Sequence, residues 1–148
     1  MKFATATILS LPLLLLAACG SSDDTREQRL VQAGPNPSFE ALMQVASAEV
    51  GKSKFRQCAA CHHIKAGAAD VGGPNLYGVF GKPLATNSSR FGYTAGLRDH
   101  GGVWDEKTLD RWLTNPHDMV PSTSMNFAGI SDPLNRADII AYMREQKP

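Results

Sequence analysis

The sequence predicts one all-α domain, and two observations lead to this prediction. Residues 38–57, 105–114 and 132–145 carry apolar side chains at helical spacing or helix start signals, whereas no convincing strand appears. Thirteen glycines and nine prolines in 148 residues indicate that loops and turns make up much of the chain. Such a chain builds a thin core, and a large buried prosthetic group would explain how it folds.

The N-terminus has the features of an export signal. Met1, Lys2 and Phe3 form a short positive start, and an apolar run of eleven residues follows at 8–18. This run is too short for a membrane-spanning helix, which needs about 20 residues. Its length, its charge and the small residues at its end predict a secretory signal peptide over residues 1–18.

The apolar run ends in Leu16-Ala17-Ala18-Cys19, which resembles the lipobox of bacterial lipoproteins. The resemblance implies cleavage before Cys19 and lipid attached to this cysteine, and a plain signal peptide is the alternative. Three cysteines are an odd number for an exported protein, which lipid on one of them would explain. Several acyl chains would anchor the protein to a membrane, because a single chain gives only marginal binding.

Residues 19–37 connect this cysteine to the predicted domain at 38–148. The segment is polar, contains Gly34, Pro35 and Pro37, and has little apolar periodicity. It therefore predicts a flexible tether that spans roughly 20–25 Å on average, as a random coil of this length would. Such a tether could let the domain swing between neighbouring partners, or could be a passive spacer.

The helices of the domain are predicted from caps and periodicity. The first covers residues 38–57, with Ser38 as N-cap and a break near Gly51. The next covers 105–114 and stops before a proline, since the residue ahead of proline disfavours helix. The last covers 132–145, where an Asp-Pro pair supplies the start signal.

The segment Cys58-Ala59-Ala60-Cys61-His62 carries the chemistry. C-x-x-C-H is the attachment signature of c-type haem. Two thiols three residues apart on a helical turn can both reach the vinyl groups of one porphyrin, and His62 then falls over the iron. A redox dithiol of the thioredoxin type would need a βαβ context, and a zinc site would need a second cysteine pair, which is absent.

A second axial ligand is expected for an electron carrier, and methionine opposite histidine raises the reduction potential. Met43 and Met143 lie in predicted helices at apolar spacing, which favours core packing, and His63 adjoins the first ligand. Met119 and Met125 lie in a proline-bounded loop that could wrap the far side of the haem. The residues alone do not decide which of Met119 and Met125 is the ligand. The full set of candidates is Met43, Met119, Met125, Met143, His63, His100 and His117.

From about Glu49 to the C-terminus the chain resembles the class I cytochrome c family. The resemblance lies in the haem motif, in Gly73-Pro74-Asn75-Leu76 and in the loop at 121–130. It implies three to five helices wrapped around one covalently bound haem, with no significant sheet. It also implies that Met125 is the sixth ligand, that Met119 is structural, and that the Pro74 carbonyl accepts a hydrogen bond from the proximal histidine.

The same resemblance implies further haem contacts. Thr123, Tyr93 and Trp104 match propionate contacts, and Phe127 matches a residue that shields the haem edge. In the family the terminal helices cross at a small glycine, which implies contact of Gly51 and Phe55 with Ile139 and Tyr142.

Two positions depart from the family pattern. Lys82 replaces an arginine, which removes a planar donor fork. Trp112 replaces a tyrosine near the sixth ligand, and an indole donates a hydrogen bond but cannot accept one.

The charge distribution bears on partners. The formal net charge of +1 argues against a nucleic-acid binder. Asp70 is the one acid between residues 51 and 98, against seven bases, which suggests a docking face for acidic partners or chance clustering on a solvated surface. The bases are Lys52, Lys54, Arg56, Lys65, Lys82, Arg90 and Arg98.

The function expected from these residues is single-electron transfer outside the cytoplasm, and not catalysis. By resemblance, the chain would carry electrons from a quinol-oxidising cytochrome bc complex to a terminal oxidase or similar acceptor, with both membrane-bound partners docking transiently at the haem edge. The expected location is the periplasmic side of a bacterial membrane, anchored through lipid on Cys19. One alternative is a fixed haem subunit of a membrane oxidase or dehydrogenase. Another is a haem peroxidase or gas sensor with a labile sixth ligand.

Overall fold

The computed structural model describes residues 22–147 of the chain. The predicted signal peptide at 1–18 and the predicted lipid site at Cys19 lie outside these residues. Within the described range, no helix is both long and apolar enough to span a bilayer.

The all-α prediction is confirmed. In residues 22–147 the only β pairing is an isolated bridge between Pro83 and Val103. The described helices outnumber the predicted three to five, because short helices and an N-terminal helix add to the expected ones. They are α1 (Ser22–Ala33), α2 (Phe39–Gln44), α3 (Ala48–Lys54), α4 (Ala95–His100), α5 (Glu106–Thr114), α6 (Pro116–Met119) and α7 (Pro133–Glu145), with a 3-10 turn at Phe55–Gln57.

The predicted first helix is divided at a different place from the expected break near Gly51. Helix α2 ends at Gln44, and Ser47 starts α3 by accepting a hydrogen bond from the Val50 N–H. The chain becomes helical again at Ala48 because the Ser47 side chain caps the new helix. Gly51 lies inside α3, so its role is in packing and not in chain reversal.

Helices α3 and α7 cross at Gly51, and this contact is the centre of the fold. A β-carbon on Gly51 would lie 1.9 Å from the Asp138 carbonyl oxygen, so the two backbones touch where only glycine fits. One helical turn later, Phe55 and Tyr142 pack edge to face with ring centroids 5.4 Å apart. The crossing holds the haem motif, which directly follows Phe55–Gln57, against the last helix.

Helices α5 and α7 begin at the predicted residues because an aspartate caps each of them. Asp105 accepts from the Thr108 N–H at 2.8 Å, and Asp132 accepts from the Leu134 and Asn135 N–H groups. The buried Arg136 joins the two helices by an ion pair with Asp110 at 2.6 Å.

The structure differs from the predicted flexible tether over residues 22–33, which form helix α1. The side chains at positions 26, 29, 30 and 33 are partly buried, whereas those at 27, 28, 31 and 32 are exposed. This spacing is that of one helical face. Two of the four inward residues are arginines, so apolar periodicity could not reveal the face. Gly34, with φ of +90°, ends the helix in a conformation that glycine adopts freely.

Candidate haem-binding site

A cavity of about 370 Å³ opens between the haem motif, helix α5 and the loop at 121–127. All nine residues that the sequence assigned to the cofactor line this cavity: Cys58, Cys61, His62, Pro74, Tyr93, Trp104, Thr123, Met125 and Phe127. Much of the remaining wall is apolar and aromatic, formed by Phe55, Leu76, Val79, Phe91, Leu97, Leu109, Trp112, Leu113 and Met143.

The two cysteines lie on consecutive turns that continue from the end of α3. The Cys58 N–H donates to the Phe55 carbonyl at 2.8 Å, and the N–H groups of Cys61 and His62 donate to the Cys58 carbonyl at 3.0 and 2.9 Å. This winding brings both thiols and the imidazole to one side of the backbone, where they share the cavity wall. The helical turn expected for C-x-x-C-H is therefore present.

The thiol chemistry disfavours a redox dithiol. Both Cys58 and Cys61 are free of disulfide bonds in the structure, and burial raises the pKa of Cys58 to about 11. Exchange with another disulfide needs a thiolate, and redox dithiols hold the attacking cysteine at a depressed pKa. Cys58 has the opposite environment, which disfavours it as the attacking thiol of a redox dithiol.

The His62 imidazole is held in one tautomer. Its Nδ1 lies 2.8 Å from the Pro74 carbonyl oxygen, and since a carbonyl only accepts, Nδ1 carries the proton. The Nε2 lone pair is then available to a metal. Burial lowers the pKa of His62, against a smaller upward effect of the bond to Pro74, and so favours the neutral ring that a metal ligand needs.

Gly73 fixes the position of this ring from the other side. A β-carbon there would lie 2.2 Å from the His62 Cε1, so the backbone of the 72–74 segment packs directly on the imidazole. The neighbouring Gly72 is less constrained, since its β-carbon would meet the Cys61 Sγ at 3.4 Å.

The two methionines left open by the residues lie in different surroundings. Met125 lines the cavity, whereas Met119 ends α6 as a buried residue of the hydrophobic core and is not among the lining residues. The Thr123 hydroxyl oxygen accepts a hydrogen bond from the Met125 N–H at 3.2 Å. The Met125 carbonyl in turn accepts from the Phe127 N–H at 3.0 Å. The placement supports Met125 as the sixth ligand, which stays a prediction.

Aromatic residues that line the cavity pack on one another in pairs. Trp104 and Trp112 pack edge to face with centroids 5.4 Å apart, and Phe91 and Tyr93 do the same at 5.0 Å. Lys82, which replaces an arginine of the family pattern, is exposed and does not line the cavity.

Sequence reasoning missed a polar network that braces the segment after the haem motif. Asp70 accepts hydrogen bonds from the Ser88 hydroxyl at 2.6 Å and from the Asn75 N–H at 2.8 Å. These two bonds lower the pKa of Asp70, the hydroxyl more than the amide. Asn75 also donates to the Lys65 and Ala68 carbonyls. The one sequence feature that pointed to this network is that Asp70 is the single acid among seven bases between residues 51 and 98.

The donor set and the walls fit a haem. The lining is mostly aromatic and aliphatic, with a smaller number of polar side chains that include Asn87, Thr94 and Thr123. A macrocycle with an apolar body and a polar edge suits such a space. Cys58 and Cys61 would hold it covalently, and His62 would bind its iron.

Comparison with known proteins agrees with this geometry. A family model described as "Cytochrome c" matches residues 48–147. A "Cytochrome c homolog" of Bradyrhizobium diazoefficiens is 38% identical over 111 residues, which cover 75% of this chain and 60% of that protein. The cytochrome c of Nigella damascena is 39% identical over 108 residues, covering 73% of this chain and 96% of its own length. The solved structure of cytochrome cH from Methylobacterium extorquens is similar with a TM-score of 0.64 and 36% identity, covering 68% of this chain and 99% of that one.

Proposed function

The chain belongs to the cytochrome c family, and on this premise we propose that it is a membrane-anchored carrier that passes single electrons between membrane-bound respiratory complexes. Family membership establishes the cofactor and the electron-transfer role. The protein is a monohaem cytochrome c, with haem c attached through Cys58 and Cys61, and it is an electron carrier and not an enzyme.

The haem supplies a one-electron couple, and the protein sets its potential and its access. The Pro74 carbonyl orients the His62 ring and increases its basicity by accepting a hydrogen bond from its Nδ1–H. Thr123 holds the backbone at Met125. The observation that carries the proposal is that one cavity unites Cys58, Cys61 and His62 with a methionine that arrives from a distant loop.

The first test concerns the sixth ligand. We predict that Met125→Ala abolishes the weak sulfur-to-iron band near the red end of the oxidised spectrum and lowers the reduction potential, because methionine opposite histidine raises it. Absorption spectroscopy and potentiometry of the purified holoprotein measure both effects.

Met119→Ala is the control for this experiment. It removes a buried core side chain of the same kind, so the expected cost is about 2–5 kcal/mol of stability with the sulfur-to-iron band retained. Loss of the band in Met119→Ala, with retention in Met125→Ala, would show that the ligand assignment is wrong.

Membrane anchoring is supported by the lipobox at 16–19. Partner docking is supported by the seven bases between residues 51 and 98, since each of them is exposed in the structure. The single acid of that range, Asp70, accepts hydrogen bonds from Ser88 and Asn75. A basic surface of this kind steers encounter with acidic partners. By resemblance, the donor is a quinol-oxidising cytochrome bc complex and the acceptor a terminal oxidase.

The anchor has a direct test. We predict that mature wild-type protein carries acyl mass on Cys19 and sediments with membranes, whereas Cys19→Ser releases it to the soluble fraction, since lipid is the anchor that this proposal invokes. Mass spectrometry and fractionation measure the two results. Wild-type protein without acyl mass would contradict the proposal.

The fixed-subunit alternative remains a second candidate because of helix α1. A flexible tether was the sequence feature that favoured a swinging carrier, and the structure has a docked helix over most of that segment. Purification in mild detergent distinguishes the two: a carrier separates from membrane complexes, and a subunit remains bound.

A further inference from the structure

Helix α1 supplies the charge that balances a buried carboxylate. Asp138 lies on α7 with its side chain fully buried, where it accepts the Ser47 N–H at 2.8 Å. The Arg29 guanidinium binds both of its oxygens, at 2.5 and 3.1 Å, and is itself only 17% exposed. A carboxylate out of water needs such a partner, because its desolvation is otherwise uncompensated. Arg29 thus ties α1 to the centre of the fold.

A second ion pair holds the same helix one turn earlier. Arg26 binds the Asp132 carboxylate at 2.7 Å, while the other oxygen of that carboxylate caps α7. Leu30 and Ala33 share this face and pack against the core. Because the two arginines are three residues apart, they lie on one side of α1, where they reach the N-cap and the second turn of α7.

Two ion pairs accompany incomplete apolar packing at this interface. A groove of about 500 Å³ remains beside α1, lined by Arg26, Leu30, Pro37, Leu42 and Leu134 among others. Apolar contact is therefore limited to part of the interface. None of the lining residues of the haem cavity belongs to α1, so the helix docks without covering the cavity.

We propose that α1 is a rigid stalk that holds the haem domain in a fixed orientation at the membrane. The orientation rests on the proposed lipid anchor at Cys19. Two residues, Gly20 and Ser21, lie between Cys19 and the start of α1 at Ser22, and the three residue steps from Cys19 to Ser22 extend at most about 11 Å. The domain therefore stays close to the bilayer and turns little, in contrast to the roughly 20–25 Å reach of a flexible tether. The lipid surface faces the α1 side, and the cavity stays open to protein partners.

Docking is tested by distances within the full-length holoprotein. Nitroxide labels are attached to cysteines introduced at Val31 on α1 and at Val103 on the domain, both exposed. Pulsed paramagnetic resonance on the reduced protein, whose low-spin iron is diamagnetic, should give one narrow distance distribution. In Arg26→Gln/Arg29→Gln the distribution should widen about twofold or more, because a released segment samples coil conformations.

Two further variants make the result specific. Arg26→Gln/Arg29→Gln/Asp138→Asn removes both arginines without leaving a buried charge unpaired, so it separates undocking from general unfolding. Arg111→Gln is the matched control, since Arg111 is an exposed arginine of α5 with no ion pair in the part of the chain that the structure describes. It should keep the narrow distribution. A broad distribution of label distances in the wild type would contradict the proposal that α1 is a rigid stalk.

Orientation is tested separately on lipidated protein in aligned bilayers. The resonance spectrum of the oxidised haem should depend on the angle between the bilayer and the field in the wild type, and should lose this dependence in the triple variant. A narrow label distance with an angle-independent haem spectrum would overturn the fixed orientation. Wild-type protein that does not bind bilayers would refute the anchor and, with it, the membrane role, while the label distances still decide whether α1 is docked.

Discussion

Gly51→Ala is expected to destabilise the holoprotein by about 3 kcal/mol or more. The new β-carbon would lie 1.9 Å from the Asp138 carbonyl oxygen and 2.5 Å from its carbon. Both are backbone atoms of α7, so no side-chain rotation relieves the clash, and overpacking of a tight contact costs about 1–3 kcal/mol or more. Alanine would gain only about 1 kcal/mol of helix propensity. Urea denaturation followed by circular dichroism measures the change.

Gly92→Ala is the matched control. A β-carbon at Gly92 meets no atom within 4 Å, so its effect should stay within about 0.5 kcal/mol, as for most surface substitutions. If the free energy of unfolding of Gly51→Ala lies within 1 kcal/mol of the wild-type value, α3 and α7 do not cross as closely as the structure has them.

Gly73→Ala is expected to impair haem incorporation about tenfold or more, the scale on which partners of a metal ligand act. Its β-carbon would lie 2.2 Å from the His62 Cε1 and 2.7 Å from Nδ1. The ring can move only by losing its bond to Pro74. Haem that is still attached should have a higher reduction potential, because the ring without that bond donates less charge to the ferric iron. The haem absorbance per protein and potentiometry measure these effects.

Gly72→Ala provides a neighbouring control, since its β-carbon meets the Cys61 side chain at 3.4 Å, close to ordinary contact. It should keep the haem content of the wild type. Equal haem content and equal potential in Gly73→Ala would contradict the proposed restraint on the imidazole.

Much of the domain could be predicted because the responsible signals are local. The starts of α5 and α7 follow from Asp105 and Asp132, each of which caps its own helix through bonds spanning two or three residues. Helix α4 was missed although Thr94 caps it, because its six residues are too short for a periodic pattern. The break in the first predicted helix was misplaced because glycine was read as a breaker, whereas Ser47 caps the next helix.

Helix α1 was missed for a physical reason. Its inward face carries Arg26 and Arg29, whose partners are more than a hundred residues away. A polar sequence predicts a solvated segment unless the acids that bind its bases are known to lie opposite. The network of Asp70, Asn75 and Ser88 could not be predicted for the same reason, since each side chain alone is an ordinary loop residue.

By itself the sequence determined the covalent chemistry of this protein. Cys58, Cys61 and His62 lie within five residues, so a single helical turn brings them together whatever the rest of the chain does. Only the tertiary structure placed Met125 in their cavity and Met119 in the core, gave the closeness of the backbone contact at Gly51, and showed that residues 22–33 dock as a helix. These features depend on pairs of residues far apart in sequence, and such pairs are fixed by packing and charge pairing that local patterns do not encode.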